Sequence, residues 1–425
     1  MLVAGIFALL VVLMLMGLPI VFAMGVATLA YLAAAGISFS ILPQRMVNSV
    51  SSFVIIAIPL FYLAGDLMNA CRLTDRIVHL ARAFVGHFHG GLAQVNIVSG
   101  VIFSGISGSA TADTAAIGAA LIPAMKKEGY PAAFSAAVTV SSGMLGPIIP
   151  PSIALVIYGA LANQSIGKLL LAGIVPGLLI GLCLMLWVRY EARVRRFPRH
   201  SRAALRDMAC ALWQGAAALL FPVIILAGIM LGVFTPTEAA AVAVLYALAI
   251  GFLLYRSLTP REAWGAFMRV CWGSARVLII IAVASAFSWV VARERVPDAI
   301  VAAMLDLTQS RIVVLFLMIG LLLLVGLFMI ESAALIVLTP ILVPVVEHFG
   351  IDPIHFGVLM VYVLVLGGGH PPVGVLLFVA QDIAHVPYGE LVRAMLPFYI
   401  PLLAASVIIA LFPGLTLWIP NLVMG

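Results

Sequence analysis

Ser104-Gly105-Ile106-Ser107-Gly108-Ser109-Ala110-Thr111-Ala112-Asp113-Thr114 and, further along, Gly146-Pro147-Ile148-Ile149-Pro150-Pro151-Ser152 decide how the rest of the chain is read. Both clusters of small, hydroxyl and imino residues interrupt long apolar runs. Such breaks free backbone groups that apolar surroundings cannot satisfy. Where they persist at membrane depth, they line a cavity or coordinate something. The reading that follows is transport.

The surrounding chain supports that setting. Of 425 residues, 64% are hydrophobic and 9% charged, against roughly 25% charged in soluble domains, and the mean hydropathy is +1.24. The apolar runs are about 16–24 residues long, helical spanning length for a hydrocarbon core of ~30 Å. None alternates with the two-residue period of a barrel strand. The expected fold class is an all-α polytopic membrane protein, which excludes a water-soluble globule. The net charge of +6 sits mostly on loop arginines, where it sets orientation rather than binding nucleic acid. Cys71, Cys183, Cys210 and Cys271 are isolated and read as small hydrophobes. Met1-Leu2-Val3 lacks a basic n-region, so the N-terminus reads as a first span rather than a cleavable signal.

Two N-terminal spans, 2–17 and 20–36, are followed by a polar patch (Gln44, Arg45, Asn48, Ser49) and a span over 53–70 that carries Asp66. The basic stretch Arg72–His89 leads into 91–125, interrupted by the Ser/Gly cluster, and 131–162, interrupted by the prolines. A span over 169–188 then runs into Arg189, Arg193, Arg195, Arg196, Arg199, Arg202 and Arg206. Positive charge resists translocation, so this loop is expected in the cytoplasm.

The second half repeats the punctuation of the first at a constant offset of 221. Pro123, Gly129, Gly146, Pro150, Pro151 and Pro176 return as Pro344, Gly350, Gly367, Pro371, Pro372 and Pro397. The expected organisation is therefore a first repeat at 1–188, a basic cytoplasmic linker at 189–211 and a second repeat at 212–425. Each repeat holds a re-entrant hairpin (91–125 and 311–346) and a broken helix (131–162 and 355–383). Counting spans from the linker puts Lys126-Lys127 inside and their counterparts Glu347-His348 outside, so inverted repeats are expected.

In repeat one, Ser104–Thr114 reads as a hairpin tip whose hydroxyls and freed carbonyls are hard oxygen ligands. A helix starting at Ser109 or Ala110 would aim its amide dipole at an anion. The break Gly146–Ser152 would face that tip. Small residues also serve plain helix packing, but two broken segments in repeated positions point to a site for a small cation and a carboxylate. In repeat two the corresponding parts are Gly326–Ser332 and Gly367–Gly374, with Glu331 and His370 as titratable members. Asp113 orients the first tip, counters a cation or caps the following half-helix. His370 either takes part directly or satisfies a local carbonyl. Asp66 and Glu238 read as structural, and no nucleophile–base constellation, HExxH, Walker loop or GxGxxG motif speaks for an enzyme.

Ala64–Asn69, Gly105–Ala110, Gly146–Ser152, Ser165–Leu169, Thr235–Ala240 and Pro371–Gly374 together resemble the large membrane subunit of tripartite ATP-independent periplasmic (TRAP) transporters. That resemblance implies an elevator-type carrier of the bacterial inner membrane, driven by sodium and free of other cofactors. Its implied partners are a small membrane subunit of about four spans, a periplasmic substrate-binding protein and the lipid bilayer; its implied cargo is a small carboxylate such as sialic acid or a C4-dicarboxylate. It implies cation binding by Ser107, Gly108, Ser109, Gly146, Pro147 and Pro150 in one repeat, and by Glu331, Gly367, Gly368 and Pro371 in the other. Substrate contacts would fall to Ser109, Ala110, Thr111, Asp113, Pro151, Ser152, His370 and Pro372. Repeat two departs from the family pattern at Glu331, Val363, His370 and Leu376, which sets proton coupling beside sodium coupling. The alternatives are a self-sufficient sodium/dicarboxylate symporter and a membrane scaffold subunit with degenerate sites.

Overall fold

The computed structural model describes residues 2–71, 73–198, 202–371 and 374–425. Among them there is no strand; the chain is a sequence of helices and turns.

The chain opens with α1 (Leu2–Leu15), α2 (Ile20–Ala34) and the short α3 (Ile41–Val50), which takes up the polar patch. A 3-10 turn at Phe53–Ile56 leads into α4 (Ala57–Ala70), and an amphipathic α5 (Thr74–Val85) carries Arg76, His79 and Arg82. The hairpin arms follow as α6 (Gly91–Ser107) and α7 (Ala110–Lys127), then the broken pair α8 (Ala132–Gly143) and α9 (Ile153–Ala162). The long α10 (Ile166–Val194) closes the first half. It extends past residue 188, so Arg189 and Arg193 ride on its last turns.

The second half begins with α11 (Leu205–Met230), α12 (Pro236–Ala249, ending in a π turn at Ile250–Leu254) and the 34-residue α13 (Pro260–Arg293). Then come α14 (Val296–Leu307), α15 (Arg311–Gly326), α16 (Glu331–His348), α17 (Pro353–Gly368) and α18 (Val375–Ala384). The last helices are α19 (Tyr388–Met395), α20 (Tyr399–Leu411) and α21 (Gly414–Met424). Helix starts obey local chemistry: Thr235 and Thr259 each close a capping box with Glu238 and Glu262 ahead of a first-turn proline. Glu238 thus has the structural role its sequence setting suggests. Seven helices of the described residues are long and apolar enough to cross a membrane, eight if α14 and α15, bent by 120°, count as one.

The 221-residue offset carries the helix boundaries as well as the prolines. Ala110–Lys127 maps onto Glu331–His348, and the first residue of α8, Ala132, onto the first residue of α17, Pro353. The halves interlock through a few polar contacts. The Tyr158 hydroxyl on α9 donates to the Pro353 carbonyl at 2.6 Å, and the Lys126 amine on α7 donates to the Ala384 carbonyl at 3.1 Å. Asp66 on α4 pairs with Arg269 on α13 at 2.8 Å, so the lone carboxylate of that span is a cross-brace.

The buried polar residues concentrate in the hairpin and broken helix of repeat one. Asn96 on α6 donates to Thr139 and accepts from Ser142, both on α8 and both at 2.7 Å. Helices this close need small residues, because between lipid-embedded helices it is van der Waals approach and shared hydrogen bonds that hold the contact. Gly100 meets Ser142 there: a Cβ at Gly100 would lie 2.8 Å from that serine's Cβ.

Candidate functional site

The first hairpin tip is a turn between Ser107 and Ser109. Gly108 sits at φ 63°, a left-handed conformation natural to glycine, and a Cβ there would stand 2.5 Å from the Pro151 carbonyl oxygen. The break presses on the tip from the other side: a Cβ at Gly146 would lie 2.6 Å from Asp113 Oδ2 and 2.8 Å from the Ser109 carbonyl carbon. Ser107, Gly108 and Ser109 are therefore packed directly against the Gly146–Pro151 segment, whose residues are buried apart from a partly exposed Ile149. Pro150 and Pro151 are joined by a cis peptide bond.

Asp113 is fully buried and holds the tip in shape. It accepts hydrogen bonds from the hydroxyls of Ser107 and, at 3.1 Å, Ser104. Ser107 Oγ in turn accepts from the Ser109 amide at 3.2 Å. These contacts tie Asp113 to the turn of the first tip. The Ser109 hydroxyl turns outward to pair with Thr111 at 3.1 Å, and Ala110 starts α7 buried beneath it. Ser152 caps α9 by accepting from the Leu155 amide at 3.1 Å, and its hydroxyl donates to the Pro147 carbonyl.

Repeat two brings its own tip and break together by glycine alone. A Cβ on Gly367 would lie 2.5 Å from Gly326 Cα, so α15 and α17 meet backbone to backbone. Next to this contact lies a cavity of about 220 Å³. Its lining includes Ser109 and Thr111 from the first tip, Glu331 and Ser332 from the second, and Gly367, Gly368 and Gly374 from the second break. The two repeats thus share one cavity. The N-termini of α7, α16 and α18 reach it, as do the C-termini of α15 and α17. Amide hydrogens from the first group and carbonyl oxygens from the second face a common space, which suits an anion and a hard cation respectively.

His370 lies elsewhere. Its ring stacks on Tyr399 at 4.5 Å, and its Nδ1 is 3.0 Å from the Pro371 carbonyl. It faces an apolar cavity of about 290 Å³ with Leu323, Leu327, Leu366 and Leu403. Gly146, Pro147, Pro150, Asp113 and Ser152 stand behind the first tip rather than on the shared cavity, and Pro372 is outside the described residues. Sequence reasoning passed over Tyr62, which lines the cavity from α4; an aromatic inside an apolar span carries no distinguishing signal.

Broken helices around a shared polar cavity, within a bundle of helices long and apolar enough to cross a membrane, fit a membrane permease of the secondary-transporter class. The sequence model described as "Tripartite ATP-independent periplasmic transporter, DctM component" matches residues 7–415, and the chain belongs to that family. It is 38% identical to the sialic acid TRAP transporter large permease protein SiaM of Vibrio cholerae over 96% of both chains. It is 36% identical to the C4-dicarboxylate TRAP transporter large permease protein DctM of Rhodobacter capsulatus over 98% of both. With the isethionate TRAP transporter permease protein DctMQ of Oleidesulfovibrio alaskensis it shares 41% identity over 97% of this chain and 65% of that one. Among solved structures, the YdaH transporter of Alcanivorax borkumensis aligns over 88% of both chains with a TM-score of 0.66 at 18% identity, a likeness of fold. The protein is a large permease subunit of the bacterial inner membrane and not an enzyme. As one component of a tripartite system, it works with a small membrane subunit and a periplasmic binding protein.

Proposed function

We propose that the chain imports a small organic anion by sodium-coupled alternating access, with the cavity at the two hairpin tips as the cargo site. The observation that carries this reading is the convergence of Ser109, Thr111, Glu331, Ser332, Gly367 and Gly368 on one space. Carbonyl and hydroxyl oxygens at each tip are hard ligands fit for a monovalent cation. Ser107, Gly108 and Ser109 against Gly146–Pro151 form one such set; Glu331, Gly367, Gly368 and Pro371 form the other. A cation at either place lowers the cost of holding an anion beside the Glu331 carboxylate, which is how cation and cargo become coupled.

Orientation follows from charge. The arginines after α10 place its C-terminal end in the cytoplasm, and the Asn163–Ser165 turn, at the far end of a 29-residue helix, outside. Inversion of the two repeats is supported by two contacts: Tyr158 of α9 reaches the first residue of α17, and Lys126 near the end of α7 reaches the last residue of α18. In this reading the hairpins and broken helices move as one body against a scaffold of the remaining spans, and the small subunit, of about four spans, stiffens that scaffold. The relatives' names cover carboxylates and a sulfonate, so the cargo class is a small organic acid.

A second reading, proton coupling, is favoured by Glu331 itself, a half-buried carboxylate with no ion-pair partner among the described residues. Uptake by proteoliposomes holding the complete transporter separates the two. Accumulation that needs an inward sodium gradient supports sodium coupling; accumulation driven by a pH gradient without sodium supports the second reading; no accumulation of sialic acid, succinate or isethionate under either gradient overturns both.

A further inference from the structure

Helix α16 borders two cavities. Glu331 and Ser332 at its start face the shared tip cavity; Ile336 and Pro340 line another, of about 260 Å³, that has no lining residue in common with the first. At a rise of about 1.5 Å per residue the two lie roughly 6 Å apart along the helix. In the proposed orientation the second cavity is on the outer side, since Asn163 forms part of its wall.

Its polar lining consists of Asn48, Ser49, Ser52, Asn163, Ser285 and Ser288, with no charged group among the described lining residues. What these side chains leave undone is informative. Hydroxyls on the helices of this protein habitually donate back to a carbonyl four residues earlier, as Thr28, Ser104, Ser135, Thr139, Ser141 and Thr339 do. Ser285 and Ser288, on one face of α13, form no such bond. Asn48, Ser52 and Asn163 likewise make no side-chain hydrogen bond among the described residues. Five polar side chains, the exposed Asn48, Ser52 and Asn163 and the partly buried Ser285 and Ser288, line one space from three directions without an intramolecular bond.

The positions equivalent by the repeat offset are engaged differently. At the 221-residue offset, Asn48 corresponds to Arg269 and Phe287 to Asp66, and those two form an ion pair at 2.8 Å. Asn163 corresponds to Ala384, whose carbonyl is held by Lys126. At the outer locus Asn48 and Phe287 stand where that ion pair would be and cannot form one. Beside it, Arg45 and Arg293 both lie over the ring of Trp289, at 5.8 and 5.4 Å, next in sequence to Ser288.

We propose that this cavity is an outer vestibule that binds the organic anion before it reaches the hairpin tips. Amide and hydroxyl donors hold carboxylate or sulfonate oxygens without a fixed countercharge, tightly enough to collect the solute and loosely enough to pass it on. The two guanidinium groups at the rim raise the local anion concentration. The inference rests on the importer reading of the tip cavity, and its test is arranged so that the two fail separately.

The full transporter is prepared in right-side-out membrane vesicles, with Cys183, Cys210 and Cys271 replaced by serine. Ser285→Cys is then reacted with the small sulfonate reagent 2-sulfonatoethyl methanethiosulfonate and with its trimethylammonium analogue. Ser38→Cys, on an exposed outer loop, is the reference. The vestibule predicts an anion-over-cation rate ratio at Ser285→Cys about fivefold or more above that reference, and loss of uptake after labelling. If Ser285→Cys fails to fold, Ser288→Cys gives the same readout. An equal ratio at both positions, or no reaction at the vestibule cysteine, overturns the proposal while unlabelled vesicles still take up solute. Absence of uptake by unlabelled vesicles overturns the importer reading beneath it.

Discussion

At the scale of single residues, the site depends on side chains that never touch the cavity. Asp113 accepts from the buried Ser107 hydroxyl inside the first hairpin, and removing it leaves that hydroxyl only a long 3.4 Å contact to the Ser109 carbonyl, while Ser104 keeps its bond to the Gly100 carbonyl. Asp113→Ala should therefore lower stability by about 1–3 kcal/mol, read as a fall in unfolding temperature of the detergent-purified protein; an unchanged transition would show that the tip does not need its brace. The tips were legible in sequence because hydroxyl and glycine residues are conspicuous inside apolar runs. Which way each one faces was not. Ser109 and Thr111 turn to the cavity, Ser107 and Ser152 bond inward, and His370 stacks away on Tyr399. Those differences come from neighbours distant in sequence, such as Tyr399 on α20, which local spacing does not report.

At the scale of elements, glycines set how near two helices come. Gly326 and Gly367 join α15 to α17 with no room for a methyl group, whereas Gly320, two turns earlier on α15, has open space around it. Gly367→Ala should push the helices apart, costing about 1–3 kcal/mol and abolishing uptake. Gly320→Ala should be neutral or stabilising by up to about 1 kcal/mol. Equal effects of the two substitutions on thermal unfolding would contradict the close-approach account. Element boundaries followed closely from the punctuation, since prolines and glycines act locally. The exceptions have physical causes. The polar patch at Gln44–Ser49 became helix α3 because its apolar positions pack against α13, and α10 ran on to Val194 because nothing in Arg189–Val194 breaks a helix.

At the scale of the whole molecule, two halves related by a 221-residue offset meet at one cavity and differ at their ends. The proposed inversion of the two halves has a direct consequence. Lys127 and His348 occupy equivalent positions at the ends of α7 and α16, so Lys127→Cys should react with a membrane-impermeant thiol reagent only from the cytoplasmic side, and His348→Cys only from outside. Labelling of both from one side would make the repeats parallel. The constant offset was readable from sequence, but the meeting of the two tips at one cavity was not, because it depends on how α7 and α16 cross in space. The central claim is that the tips bind a cation which makes anion binding favourable. It is tested most directly by thermal unfolding of the purified protein in sodium against potassium at matched ionic strength, for the natural chain and for Ser109→Ala. A bound ion stabilises the folded state by RT ln(1 + [L]/Kd), so the account predicts a sodium-specific rise in unfolding temperature that Ser109→Ala diminishes. No sodium-specific rise between pH 6 and 8 would contradict it.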